Sequence, residues 1–151
     1  MNDTKADALA FLASNKTGVL STISKEGNPH ARLVYFACDE ALNIYFMTML
    51  NTRKAGDISA HPHVAFTVST VEVPKTLQLE GLAEDVTDSP VADSTVEAIF
   101  KNLQSNGQYF APLARMDRGD IRFYRISPTW VRFGDFTHGH GSEEVFSKIP
   151  S

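Results

Sequence analysis

Short runs of β-branched, aromatic and other apolar residues, separated by turn signals, constrain the fold of this chain more than any other feature. Several of these runs alternate apolar and polar side chains, which is typical of strands with one buried face. The turn signal Lys25–Asn28 joins two runs as a hairpin, and Asp39–Ala41 leads into a third, so neighbouring strands are predicted to be antiparallel. The predicted strands are Gly18–Ser24, Ala31–Cys38, Leu42–Met47, Val64–Val71, Thr76–Val86, Ile121–Ile126 and Thr129–Phe136.

The sequence contains fewer helical patterns than strand patterns. Apolar residues recur at helical spacing in Asp3–Asn15 and in Asp88–Gln104. A shorter helix is predicted to end near His61-Pro62, because proline disfavours the helical conformation in the residue before it. Gly81, inside a strand pattern, suggests the bulge or tight bend that a closed sheet needs. We therefore predict a mainly β fold, a β-barrel with peripheral helices.

Length, charge and composition narrow the class of protein. The 151 residues are enough for one domain with its own core, and we expect that domain to span residues 1–137 with a C-terminal tail at 138–151. A net charge of −4 argues against nucleic acid as a partner. The single cysteine, Cys38, excludes an intrachain disulfide framework, and no apolar run is long enough to span a membrane. These features favour a soluble cytoplasmic protein.

The most informative stretch for function follows the third predicted strand. Thr48, Thr52, Arg53 and Lys54 come directly after its apolar residues and precede the short helix. If Thr52 is the N-cap, Arg53 and Lys54 fall in the first turn, where free N–H groups and the helix dipole favour an anion such as phosphate. The alternative is a solvated basic patch without a ligand, and these residues alone leave the two interpretations open.

Six segments in a fixed order resemble one family. Together they are similar to the pyridoxamine 5′-phosphate oxidase-like, FMN-binding split-barrel family, and the string Phe46–Lys54 is the strongest piece. The resemblance implies an antiparallel split β-barrel that forms a homodimer, with two FMN molecules in grooves at the interface. The six segments are Gly18–Ser24, Gly27–Phe36, Ile44–Thr48, Thr52–Lys54, His61–Ala65 and Leu79–Glu84.

The resemblance also implies roles for individual residues. Arg53 and Lys54 correspond to the basic pair that holds the FMN phosphate, and arginine and lysine are natural partners of phosphate. The other residues implied at the phosphate are Thr48, Thr52 and Arg32. Those implied near the isoalloxazine ring are Leu33, Val34, Phe46, Met47, either Thr76 or Gln78, and Trp130, which could reach the flavin of the partner subunit.

The activity is less specified than the cofactor. The segment Gly141–Lys148 has no counterpart of the basic and aromatic residues with which the full oxidase binds its substrate, so oxidation of vitamin B6 is not expected. No catalytic acid, base or nucleophile is recognisable. We expect an oxidoreductase acting on an unidentified small-molecule substrate. The alternatives are a non-catalytic flavin or haem binding or stress protein, and a barrel that binds no cofactor.

The histidines offer a weaker indication of a metal or haem site. His61 and His63 flank a proline at a predicted helix-to-strand junction, where solvated loop residues are common. His138 and His140 lie in the predicted tail. We predict no metal site.

Overall fold

The structure, a computed structural model, describes residues 4–94, 97–98, 118–138 and 146–150. Helices α1 (Thr4–Ala13) and α2 (Arg53–Ala60) lie within this part of the chain, as do helical residues at 91–94. The strands are β1 (Thr17–Ile23), β2 (Pro29–Cys38), β3 (Ile44–Met49), β4 (His63–Thr70), β5 (Lys75–Asp85), β6 (Ile121–Asp135) and β7 (Phe146–Ile149).

The strands form one antiparallel sheet that closes on itself. Their order is β3-β2-β1-β4-β5-β6-β7, and β3 also pairs with β6. Phe46 of β3 therefore lies opposite Phe36 of β2 on one side and Tyr124 of β6 on the other. This second pairing closes β1 to β6 into a six-stranded barrel, which confirms the predicted mainly β barrel.

The barrel is filled by inward-facing side chains of alternating strand positions. The fully buried rings of Phe36 and Phe66 meet edge to face with centroids 5.1 Å apart. Helix α1 packs its buried face against the core, where the ring of Phe11 lies 5.7 Å from that of Phe133. Helix α2 adds Ile58 to the same core.

Strand β6 corrects the sequence prediction. Two strands were expected, Ile121–Ile126 and Thr129–Phe136, with a break at Ser127-Pro128, but the structure has one continuous strand. Its first part pairs with β3 and its last part with β7, while β5 pairs along nearly its whole length. Proline is tolerated because the register with β5 shifts at this point.

Gly81 lies on the other side of this register shift. The shift falls between Glu80 and Gly81, which confirms the predicted irregularity. A Cβ atom at Gly81 would lie 2.4 Å from the Ser127 carbonyl oxygen, so the two strands approach too closely for any side chain here. Gly81 thus permits the close approach of the two strands, and the irregular pairing beside it accommodates Pro128 on the opposite strand.

The C-terminal prediction is corrected in one place. Within the predicted tail, residues 138–151, the segment Phe146–Ile149 is strand β7 and pairs with β6, and Ile149 is buried in the core. Four residues are too few for a reliable strand pattern in the sequence. Of the predicted helix Asp88–Gln104, residues 91–94 are helical, whereas 95–96 and 99–104 lie outside the described residues, as do residues 139–145 with His140. The division of the chain into a domain and a tail otherwise stays a prediction.

Neither helix could cross a membrane, since α1 has 10 residues and α2 has 8. The described part of the chain contains no helix that is long and apolar enough to span a membrane.

We expect Gly81→Ala to lower the free energy of unfolding by about 1–3 kcal/mol, because the new methyl group forces two backbone segments apart. The measurement is urea unfolding. Gly119→Ala is the matched control, since a Cβ atom there would meet nothing within 4 Å. Equal stability of the two variants would show that the close approach at Gly81 is not a constraint.

Candidate functional site

The N-terminus of α2 is built as the sequence predicted. Thr52 is the N-cap, with extended backbone (φ −78°, ψ 159°), and its hydroxyl accepts a hydrogen bond from the Ala55 N–H at 3.4 Å. The hydroxyl of Thr48, at the end of β3, lies 3.0 Å from that of Thr52. Asn51 makes the sharp connection with a φ of 66°, a conformation that asparagine tolerates better than most residues. Arg53 and Lys54 therefore occupy the first turn of α2.

Asp57, one turn further along α2, is a buried carboxylate with three hydrogen-bond donors. Its Oδ2 atom lies 2.7 Å from the Thr22 hydroxyl, 2.7 Å from Nδ1 of His30 and 3.3 Å from Nη2 of Arg32. Arg32 also donates to the Thr22 hydroxyl at 2.6 Å, so that hydroxyl must donate its own proton to Asp57. These contacts connect α2 to both β1 and β2.

Arg53 is held by the opposite nitrogen of the same histidine. Its Nη2 atom lies 2.7 Å from Nε2 of His30. A guanidinium group can only donate, so Nε2 must be the acceptor and the ring proton must be on Nδ1, from which it is donated to Asp57. Asp57, His30 and Arg53 thus form one directed chain of hydrogen bonds.

The titration of two groups reflects this environment. Burial alone would raise the pKa of Asp57, but the hydrogen bonds from Thr22 and His30 and the further contact with Arg32 outweigh it and lower that pKa. The pKa of the Lys54 ammonium is also lowered, first by burial and then by the charge of Arg32. Lys54 therefore lies close enough to Arg32 for the two cations to repel each other.

The cluster lies at one end of the barrel. His30 and Arg32 lie on the same face of β2 as Val34 and Phe36, whose side chains are in the barrel core. The same inward face therefore changes from apolar to polar towards the start of β2. Helix α2 packs over this end, so its first turn presents its cations next to Arg32. The residues predicted at the phosphate, Arg32, Thr48, Thr52, Arg53 and Lys54, are thus brought together within one chain.

The residues predicted at the flavin ring are more dispersed. Phe46 is fully buried in the barrel core, stacked on Tyr124 at 5.3 Å, and Val34 is buried in the same core. Met47, the next residue of β3, points to the opposite side of the wall, into a second cluster with Phe123. The structure does not bring the Phe46 and Met47 side chains to one surface, because neighbouring strand residues face opposite ways.

The remaining predicted ring residues lie on the outer face of the sheet. Leu33 is 64% exposed, and the register places Val19 and Thr67 between it and Gln78. Three strand spacings of about 4.8 Å separate Leu33 from Gln78 by about 14 Å along the curved sheet. Thr76 is hydrogen bonded to Ser69 on the neighbouring strand, and Trp130 lies opposite Glu80. Within the described residues of one chain, these side chains are therefore spread over the outer face and do not form one compact group.

Three members of the cluster were missed by the sequence prediction. Thr22, His30 and Asp57 have no short motif in common, and they meet because β1, β2 and α2 converge. The available signal was Arg32, since an arginine in an otherwise apolar strand needs an anionic partner. That partner is Asp57, 25 positions further along the chain.

Comparison with known proteins yields a consistent set of similarities. A sequence model of the family described as pyridoxamine 5′-phosphate oxidase matches residues 4–134. The pyridoxine/pyridoxamine 5′-phosphate oxidase of Cupriavidus metallidurans is 31% identical, over 76% of this chain and 64% of that enzyme. The chain thus spans less than two thirds of the length of this curated relative.

Solved structures show the same fold in proteins of different function. An F420 reductase has a TM-score of 0.64 and 26% identity, covering 81% of this chain and 93% of that one. A heme binding protein from Mycobacterium smegmatis has a TM-score of 0.75 and 15% identity, covering 99% of this chain and 58% of that one. The second similarity shows the fold alone.

Replacement of the buried carboxylate tests its charge. We expect Asp57→Asn to lower the free energy of unfolding by about 3 kcal/mol near neutral pH, because Arg32 and its neighbours lose their anionic partner. The folded-state pKa of Asp57 is lowered, so its stabilisation is fully present above the unfolded pKa of about 3.9 and is lost as the pH falls through the folded value. Urea unfolding at a series of pH values measures the loss of stability and its dependence on pH.

The difference between parent and variant should therefore be largest near neutral pH and shrink below about pH 4. Glu72→Gln, in an exposed turn, is the control for loss of one carboxylate and should change stability by less than about 0.5 kcal/mol. A difference of the same size at all pH values would mean that the charge of Asp57 is not what stabilises the fold.

Proposed function

Because the chain belongs to the pyridoxamine 5′-phosphate oxidase-like family of FMN-binding split barrels, we propose that it is a cytoplasmic flavoprotein whose FMN phosphate is held at the first turn of α2. The residues that would hold the phosphate are Arg32, Arg53 and Lys54, with the hydroxyl groups of Thr48 and Thr52. This set combines charge-assisted donors with the free N–H groups of a capped helix start.

The observation that carries this proposal is an excess of positive charge. Arg32 is paired with Asp57, but among the described residues no carboxylate forms an ion pair with Arg53 or Lys54. Lys54 is partly buried beside Arg32, and its pKa is lowered first by burial and then by repulsion from the charge of Arg32. A phosphate monoester carries about two negative charges near neutral pH and would relieve that repulsion.

The chemistry proposed for the site is electron transfer with a small-molecule substrate. When bound, FMN supplies the redox chemistry, and the protein binds and orients it. The 26% identity to an F420 reductase and the match to a curated oxidase support an oxidoreductase. Cys38 is not a candidate nucleophile, because burial and then the charge of Asp39 raise the pKa of its thiol to about 11.

We further propose that the ring is held between two copies of the chain. The predicted ring residues are spread over the outer face of the sheet, where Leu33 and Val19 are 64% and 40% exposed. A second copy packed on this face would cover these apolar side chains and narrow the open surface to a groove. The phosphate end, by contrast, is assembled from one chain.

A non-catalytic flavin or haem binder is the second candidate. Its supporting observation is that Asp57 and His30 are both engaged, Asp57 with three donors and His30 with one partner on each ring nitrogen. Both groups therefore hold other side chains instead of being directed at a substrate. Binding of a cofactor without turnover would suit such a site.

We expect an Arg53→Ala, Lys54→Ala variant to bind FMN at least about 100-fold more weakly, since each charge-assisted bond to phosphate contributes about ten-fold or more. Fluorescence titration of the protein with FMN measures the Kd. Riboflavin, which is FMN without its phosphate, should bind both proteins equally.

A Lys5→Ala, Lys25→Ala variant is the matched control, because it removes the same net charge from two exposed positions. Its affinity for FMN should equal that of the parent protein. Unchanged affinity in the Arg53, Lys54 variant would instead remove the proposed phosphate site.

Steady-state kinetics distinguish the two candidates. For an oxidoreductase we expect continuous oxidation of NADH or NADPH by the FMN-loaded protein with an artificial electron acceptor. The measurement is the loss of nicotinamide absorbance over many turnovers. One equivalent or less of donor consumed per protein would favour the carrier or storage role.

A further inference from the structure

We propose that Asp57 and His30 are positioning residues for the two phosphate-binding arginines. Asp57 holds Arg32 directly and fixes His30 in the tautomer protonated on Nδ1, and Nε2 of His30 then holds Arg53. This inference rests on the proposed function, because it assigns a role toward the FMN phosphate. It concerns residues that do not themselves need to touch the phosphate.

The hydrogen bonds are directional at every step. Asp57 Oδ2 accepts from His30 Nδ1 at 2.7 Å, and His30 Nε2 accepts from Arg53 Nη2 at 2.7 Å. The other tautomer would leave Nδ1 without a proton beside a carboxylate and would direct an N–H at a guanidinium group. Only one tautomer of a neutral ring therefore satisfies both neighbours.

The burial of the carboxylate makes this arrangement rigid. The Asp57 side chain is 9% exposed, whereas those of His30 and Arg32 are 21% and 22% exposed. Side-chain exposure thus increases from Asp57 towards the residues that are closer to the proposed phosphate. Histidines that ligate metals are oriented in the same way, by a carboxylate on the second ring nitrogen.

The remaining donors of Arg53 are suited to an anion. Nη2 is bonded to His30, and its other N–H groups, which have no side-chain partner among the described residues, could donate to a phosphate at the surface, where Arg53 is exposed. An arginine whose direction is fixed loses less conformational freedom on binding than an unrestrained one. His30 would therefore increase the affinity for FMN through Arg53 alone.

A double-mutant cycle on the full chain tests this coupling. We expect His30→Leu to weaken FMN binding by about ten-fold, because it removes a hydrogen bond to a charged group. Added to Arg53→Ala, the same change should have no further effect, since its action passes through Arg53. Affinity for riboflavin should be the same in all four proteins.

Two variants separate positioning from general damage to the fold. His30→Gln has an amide that can donate to Asp57 and accept from Arg53, and it should recover most of the affinity for FMN. His63→Leu is the control for the loss of a histidine, because His63 is an exposed strand residue. It should bind FMN as the parent protein does.

The tautomer is measured independently of any cofactor. Nitrogen-15 NMR of the histidine rings in the protein without FMN should show, for His30, a protonated Nδ1 and an unprotonated Nε2. In Asp57→Asn that preference should weaken. A proton on Nε2 in the parent protein would overturn the inference even if His30→Leu failed to fold.

The outcomes distinguish this inference from the proposed function. FMN binding that His30→Leu leaves within about two-fold of the parent, or an effect that adds fully to Arg53→Ala, overturns the positioning role and leaves the FMN site standing. A parent protein that does not bind FMN overturns both.

Discussion

The buried carboxylate of Asp57 is the interaction on which the candidate site depends. A carboxylate removed from water is costly unless it is paired and hydrogen bonded, and here β1 supplies a hydroxyl while β2 supplies an imidazole and a guanidinium. These bonds lock the first turns of α2 over the open end of the barrel, while Ile58 anchors the same helix in the core. The position of Arg53 and Lys54 is thus a consequence of where the carboxylate of Asp57 finds its hydrogen-bond donors.

Asp57 also sets the charge of the cluster. Three cations, Arg32, Arg53 and Lys54, face one carboxylate, and His30 is neutral in the tautomer that its neighbours require. In the part of the chain that the structure describes, two positive charges of the cluster have no carboxylate partner, which matches a phosphate monoester near neutral pH. Without Asp57 the cluster would carry a larger charge, and the fold would have to keep three like charges together before any ligand arrived.

The sequence was sufficient for features that depend on neighbours along the chain. The cap at Thr52, the first-turn position of Arg53 and the irregularity at Gly81 all follow from local rules and are present. The continuity of β6 through Pro128 could not be predicted, because it depends on a glycine in another strand. The partners of Asp57 were missed for the same reason, since they lie 25 to 35 positions away and share no motif with it.

The buried carboxylate of Asp57 also distinguishes the phosphate end from the ring face. At the phosphate end the buried Asp57 fixes the more exposed side chains of His30, Arg32 and, through His30, Arg53. The binding side chains are therefore already oriented in the folded chain. Each arginine side chain has about 2 kcal/mol of rotamer entropy, and bonds to Asp57 and His30 reduce the part that is lost on binding. On the outer face, Leu33 and Gln78 lie on strands separated by two others, so no single group joins them in the way that Asp57 joins β1, β2 and α2. It follows from the proposed function that FMN would be bound first through its phosphate, and that its ring would be fixed only when a second surface covers it.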